Sequence, residues 1–160
     1  MELNFESWAA IEDEALVLME QHHREVGVAR PVEFRPDTAQ ARVLCAAGAL
    51  ATATVRREGK LIGYCMWFFS SDLESVGTLI ASQGPFFVTQ SERRSRAGLL
   101  LLDFSIEKFR EFGIDNVMLH HWTGGAGERL GKKFARLGAV PLESVWSLWL
   151  GASAAPNTEK

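Results

Sequence analysis

Apolar residues recur at helical spacing from Phe5 to about Val26: Trp8, Ile11, Ala15, Leu18 and Met19 take one side, Glu12, Glu14, Glu20 and Arg24 the other. The pattern predicts an amphipathic helix that Gly27 closes. Pro31 and Pro36 break the next stretch into a loop, and Asp37 is placed to cap a shorter helix through Ala39, Val43 and Leu44 to Gly48. The period then changes to two. Leu50 to Arg57 sets Ala51, Ala53 and Val55 against Thr52, Thr54 and Arg56, and Glu58-Gly59-Lys60 separates it from Leu61 to Phe69, which predicts a hairpin. A third extended segment, Thr78 to Val88, contains Gly84-Pro85, the signature of a bulge or bend.

Leu99, Leu102, Ile106 and Phe109 mark one face of a long helix between Ala97 and Phe112, with Gly113 as its stop. Asn116 to His121 reads as a short strand. Gly124-Gly125 leads into a helix carrying Leu130, Phe134 and Leu137 that ends at Gly138, and Leu142 to Leu150 reads as the closing strand. Gly151 to Lys160 has too little apolar content to offset the entropy of ordering and is expected to be a flexible tail, so residues 1–150 form the single expected domain. The order is mixed α/β, with a βαβ crossover around the long helix that sets its two strands parallel.

Composition narrows the function. A net charge of -3 argues against a general nucleic-acid binder, so any anion site must be local. No apolar run is long enough to cross a bilayer and no secretion signal precedes the first helix, which points to the cytoplasm. Cys45 and Cys65 have no metal-ligand spacing and read as reduced core thiols. His22-His23 with Glu25 does not read as a metal site, because adjacent helical residues point apart. Trp122, Trp146, Trp149, Phe68 and Phe69 read as core or interface aromatics.

The chemistry is expected at the strand-to-helix turn Phe86-Phe87-Val88-Thr89-Gln90-Ser91-Glu92-Arg93-Arg94-Ser95-Arg96-Ala97-Gly98-Leu99. Three arginines lie beside the positive end of a helix dipole, where extra cations are unfavourable unless an anion joins them. Spacing alone leaves two readings open: an anion site, or arginines solvated in a loop.

Here the chain resembles the GCN5-related N-acetyltransferase (GNAT) superfamily, whose pyrophosphate loop reads Q/R-x-x-G-x-G/A at the head of a long helix. Arg93 takes the first motif position and Gly98 the last, while Arg96 stands where the first glycine is usual. The Arg57-Glu58-Gly59-Lys60-Leu61-Ile62-Gly63-Tyr64 hairpin and the Phe134-Ala135-Arg136-Leu137-Gly138-Ala139 helix end extend the likeness over roughly residues 5 to 150. The flanking His22-His23-Arg24-Glu25-Val26 and His120-His121 make it most similar to acetyltransferase-type proteins of tailed bacteriophages.

The resemblance implies a twisted mixed sheet flanked by helices and an acetyl-CoA cosubstrate. The phosphates would be held by the backbone of Arg94, Ser95, Arg96, Ala97, Gly98 and Leu99, with Arg93 or Arg96 adding charge. Phe87 or Val88 would polarise the thioester through a backbone N–H. Phe134 occupies the position of the family's proton-donating tyrosine; the chain's one tyrosine, Tyr64, is on another strand. His120 and His121 are the candidate catalytic acid or base, the alternative being a polar strand end facing solvent or a hydrogen-bonded histidine. Arg129, Lys132, Lys133 and Arg136 form a basic stripe, either solvated or touching the 3′-phosphate. The expected activity is direct acetyl transfer to a primary amine, on a small molecule or a protein lysine. The alternative is a non-catalytic protein of this fold used for binding or assembly, as a homodimer or in a larger particle such as a virion.

Overall fold

A computed structural model describes residues 1–26, 32–121, 126–146, 148 and 150. The chain runs β1 (Glu2–Glu6), α1 (Trp8–Val26), α2 (Thr38–Ala46), β2 (Leu50–Arg57), β3 (Lys60–Ser71), β4 (Leu79–Val88), a 3-10 turn (Gln90–Glu92), α3 (Ala97–Glu111), β5 (Asn116–Met118) and α4 (Ala126–Arg136). The five strands form one sheet in sequence order, antiparallel through β4, with β5 parallel to β4 across the α3 crossover.

β1 is the first departure from the sequence pattern. Phe5, expected to begin the helix, lies in a strand opposite Ala53 of β2, and its ring packs on Phe104 and Phe109 of α3 at centroid distances of 5.6 and 5.9 Å. Five residues were too few for the alternating period to stand out from the helical stripe beginning at Trp8. An ion-pair cluster fixes the strand. Arg56 of β2 donates to Glu6 of β1 at 2.9 Å and to Glu14 of α1 at 2.8 Å, while Glu14 also accepts the Leu61 N–H.

Side chains alternate across the sheet and so build two cores. Trp8, Ile11, Ala15 and Leu18 of α1 cover Leu50, Tyr64, Met66 and Phe87 on one face. Ala97, Leu101, Leu102 and Phe109 of α3, with Phe134 of α4, cover Ala53, Cys65, Trp67, Ala81 and Val88 on the other. Trp67 Nε1 donates to Ser105 Oγ at 3.2 Å, and that hydroxyl donates to the Leu101 carbonyl at 2.8 Å, which pins α3 to the sheet without an orphaned polar atom.

The hairpin turns at Glu58 and Gly59 with φ of 53° and 77°, the two left-handed residues of a tight primed turn. Gly84-Pro85 form a bulge: Cys65 pairs Phe86 and Trp67 pairs Gln83, so both residues oppose Met66 alone.

Two strand expectations fail. β5 stops at Met118, leaving His120 and His121 beyond it, because the β4–β5 ladder ends at the Ser82–Met118 pair. The closing strand is absent among the described residues of 142–150: Leu142, Val145, Trp146, Leu148 and Leu150 alternate suitably but have no strand to pair with and stay exposed. Trp146, at 92% exposure, is therefore no core residue. Gly27, Pro31, Trp122, the Gly124-Gly125 loop, Trp149 and the 151–160 tail lie outside the described residues.

Candidate active site

The parallel pairing of β4 with β5 covers only Ile80, Ala81 and Ser82 of β4. From Gln83 to Val88 the edge of β4 facing β5 has no strand partner among the described residues. The last tie across the split is Gln83 Nε2 to the His120 carbonyl, 3.2 Å. Gln83 is 5% exposed, and its Oε1 has no hydrogen-bond partner among the described residues. A buried amide oxygen left unpaired costs about 1–3 kcal/mol, so a donor arriving in the split would relieve it.

Strand geometry decides which backbone groups face this split. The Thr89 N–H bonds the Ile62 carbonyl of β3 at 2.9 Å. Polar groups point to alternate edges along a strand, so those of Phe87 also turn to β3 and those of Phe86 and Val88 turn to the open edge. Arg93 Nε donates to the Val88 carbonyl at 3.1 Å. That leaves the N–H groups of Phe86 and Val88 as the donors along the split. Phe87 instead contributes its ring, 4% exposed, to the α1 face.

The turn after β4 winds through its 3-10 segment and delivers α3 with its N-terminus at the end of the split. No side chain caps α3 at Arg96, whose φ of −87° and ψ of 4° are open to any L residue, so this position does not require glycine. Ser95 Oγ takes the Ala97 N–H at 3.1 Å and donates to the Glu92 carbonyl at 2.7 Å. The Gly98 and Leu99 N–H groups have no carbonyl one turn back to bond, the ordinary condition of a helix start and a suitable cradle for phosphate. Gly98 has a packing role as well: a Cβ there would stand 3.2 Å from Phe86 Cζ and 3.5 Å from Val88 Cγ2. The missing side chain lets α3 settle onto β4.

The three arginines separate. Arg93 is engaged by Val88, by Glu25 of α1 at 2.5 Å, and by the Phe87 ring, 5.3 Å from its guanidinium carbon to the centroid. Arg94 and Arg96 are exposed at the helix start. In the basic stripe, Lys133 pairs with Asp103 of α3 at 2.7 Å.

The two candidate histidines divide likewise. His120 is exposed and tied to Gln83 through its carbonyl, and partial desolvation with the neighbouring His121 charge pushes its imidazole below the ordinary value. His121 leans on α4, its ring 6.0 Å from that of Phe134 and its Nε2 2.8 Å from where a Gly131 Cβ would stand. Phe134 is 7% exposed and belongs to the α3-side core.

One cluster escaped the sequence reading. His22 of α1 stacks on Phe87 at 5.2 Å between centroids, and its Nδ1 lies 3.3 Å from Tyr64 Oη. Tyr64 is 1% exposed, and burial pushes its phenol well above the ordinary value. The signal was available: His22 continues the stripe of Ile11, Ala15 and Leu18 at helical spacing, a histidine where the next core residue belongs.

No protein-family model matches the chain, and no curated protein matches it by sequence. Solved structures match over nearly its whole length. A ribosomal-protein-alanine N-acetyltransferase from Brucella melitensis biovar Abortus 2308 superposes with TM-score 0.68 at 17% identity, covering 94% of this chain and 100% of its own. An aminoglycoside acetyltransferase from an uncultured soil metagenomic sample gives TM-score 0.71 at 14% identity, with 94% and 100% covered. Glucosamine-6-phosphate N-acetyltransferase from Arabidopsis thaliana gives 0.71 at 10%, with 94% and 98% covered. The fold is that of the GNAT acetyltransferases, a five-stranded mixed sheet flanked by helices.

Proposed function

We propose that the chain is an N-acetyltransferase that takes its acetyl group from acetyl-CoA and passes it to a primary amine. The observation that carries this reading is the split between β4 and β5, which opens at the buried Gln83 Oε1, without a hydrogen-bond partner among the described residues, and ends at the start of α3, where the Gly98 and Leu99 N–H groups have no carbonyl one turn back. The pantetheine arm of acetyl-CoA carries amide N–H donors that suit Gln83, and its pyrophosphate suits the Gly98 and Leu99 N–H groups beside Arg94 and Arg96. Residues and ligand therefore fit. Bound there, the cosubstrate supplies an activated acetyl group.

Each protein group then has a separate task. The Val88 or Phe86 N–H donates to the thioester oxygen as negative charge develops on it. α3 holds the phosphates, which fixes the thioester against β4. The side chain at the family's tyrosine position is Phe134, which has no proton to give, so the leaving thiolate takes one from the amine or from solvent. A thiolate with an ordinary pKa near 8.5 leaves tolerably without an acid.

Calorimetry with acetyl-CoA tests the binding half of the reading; micromolar affinity is expected, and no heat at millimolar ligand would favour a non-catalytic binding protein of the same fold. Release of coenzyme A thiol in the presence of sisomicin, glucosamine 6-phosphate or a peptide with N-terminal alanine tests the transfer half. These amines represent acceptor classes associated with structures of the same fold.

A further inference from the structure

We propose that residues 140–146, with Leu148 and Leu150 beyond them, pair as a strand with the outer edge of β5 in a second copy of the chain, two copies exchanging these segments about a two-fold axis. The pattern of the segment is that of a strand with one buried face. Val140, Leu142, Trp146, Leu148 and Leu150 fall on the same side of an extended chain, and Ser144 is the one polar residue among them. All five apolar side chains are 70–92% exposed. An apolar face of that extent on a soluble chain marks a contact surface. Its backbone is free as well: the Ala139 N–H bonds the Phe134 carbonyl at 3.1 Å at the end of α4, and from Val140 onward no backbone bond ties the described residues to the sheet.

The receiving edge is on the same molecule. β5 ends the sheet, and its residues Asn116, Val117 and Met118 include no charge and no proline to discourage pairing. β1, the other edge, carries Glu2 and Glu6 in its five residues, and the one charge of the segment, Glu143, is acidic too. Charge therefore favours β5. Beside β5 the α3-side core also reaches its margin, where Val117, Leu119, Leu130 and Ala139 pack on it but stay only partly buried. A strand added at β5 with its apolar face toward α3 covers them.

A second copy is the occupant that satisfies both needs at once. Each copy brings one apolar strand and one unpaired edge, and a two-fold pair uses both on both sides. The area is sufficient. At about 100 Å² of apolar surface per side chain the five bring about 500 Å² per copy, and two such faces with the surfaces they cover exceed the roughly 1,000 Å² that a stable interface needs.

The experiment uses the full chain. Sedimentation equilibrium from about 1 to about 100 μM is expected to give twice the chain mass, and Trp146→Glu combined with Leu148→Glu is expected to return it to the chain mass with an unchanged far-ultraviolet spectrum. In a sample mixed from isotope-labelled and unlabelled chains, NMR contacts from the Trp146 ring to the methyl groups of Val117 and Leu119 are expected between unlike chains. The parent at the chain mass across that range overturns the proposal. A dimer that survives the double substitution is held by another surface and overturns it too. Absence of those NMR contacts, or their appearance only within one chain, which would mean that the segment closes its own sheet, does the same. Should the double variant fail to fold, the mixed-label contacts of the parent decide by themselves.

Discussion

Arg93 Nε lies 3.1 Å from the carbonyl oxygen of Val88, five residues earlier, so the turn that leaves β4 is buckled back onto the strand it came from. The same guanidinium bonds Glu25, which ties α1 to the turn. An arginine so occupied acts on the shape of the site more than on a ligand's charge.

That division is measurable. Arg93→Ala is expected to cost about 1 kcal/mol of stability, since the Glu25 pair is half-exposed and of little worth while the carbonyl bond is of more. Arg96→Ala is expected to leave the melting temperature within about 1 °C, as surface substitutions commonly do, and to weaken coenzyme A binding severalfold with a shallower salt dependence. Thermal melts and calorimetry at two ionic strengths compare them.

Gly63 faces Val88 across the β3–β4 ladder, and a Cβ there would stand 2.8 Å from the Phe87 carbonyl oxygen and 3.0 Å from methyl carbons of Val55 and Val88. The first neighbour is backbone and cannot turn aside. Gly63→Ala is expected to destabilise by about 1–3 kcal/mol, read from denaturant midpoints. Gly98→Ala is expected to stay within about 1 kcal/mol of the parent, because helix propensity gained offsets a ring tip that can shift. Gly98→Trp would drive α3 off β4, so loss of ligand binding in that variant has to be read beside its melt.

Glu6 joins β1 to the ion-pair cluster. Burial raises its pKa, but hydrogen bonds from Arg56 and Thr54 outweigh this and hold the carboxyl below the ordinary 4.5. Glu14 is lowered chiefly by its Arg56 bond. With folded values below unfolded ones, these groups stabilise the protein fully above about pH 4.5 and lose that contribution as pH falls through their folded values. Glu6→Gln is expected to cost about 1–3 kcal/mol at pH 7 and to flatten the decline of melting temperature from pH 5 to pH 3.

His120 titrates below the ordinary 6.5 through desolvation and then through His121. Its lowered folded value means that protonation opposes folding: its contribution is present above pH 6.5 and is lost as pH falls. His121→Ala is expected to raise the His120 midpoint without bringing it to 6.5, since the desolvation remains. Imidazole proton shifts followed by NMR from pH 4 to 8 give both midpoints.

How far the residues announced this fold depended on how many of them repeated a pattern. α1, α3 and the β2–β3 hairpin each span enough positions for their period to be unmistakable, and Gly84-Pro85 marked the bulge. β1 spans five residues beside a strong helical stripe and was absorbed into it. The 142–150 alternation was legible, but an extended segment becomes a strand only with a partner, which no local pattern supplies. The candidate anion turn from Arg93 to Leu99 could be singled out in the sequence because it is contiguous. His22, Tyr64 and Gln83 could not, since they come from α1, β3 and β4 and meet only through the sheet register.

The bulge at Gly84-Pro85 decides which side chains each face of β4 presents. Gln83 and Phe87 are four positions apart and in a regular strand would share a face, yet Gln83 pairs with Trp67 of the α3-side core while Phe87 pairs with Tyr64 of the α1-side core. One inserted residue therefore exchanges the two faces midway along β4, giving a single strand an amide on the α3 side and an aromatic ring under His22 on the α1 side. Removing either Gly84 or Pro85 would swap inside for outside over one half of the strand, so this turn of chain should tolerate substitution at Pro85 far better than any change in length.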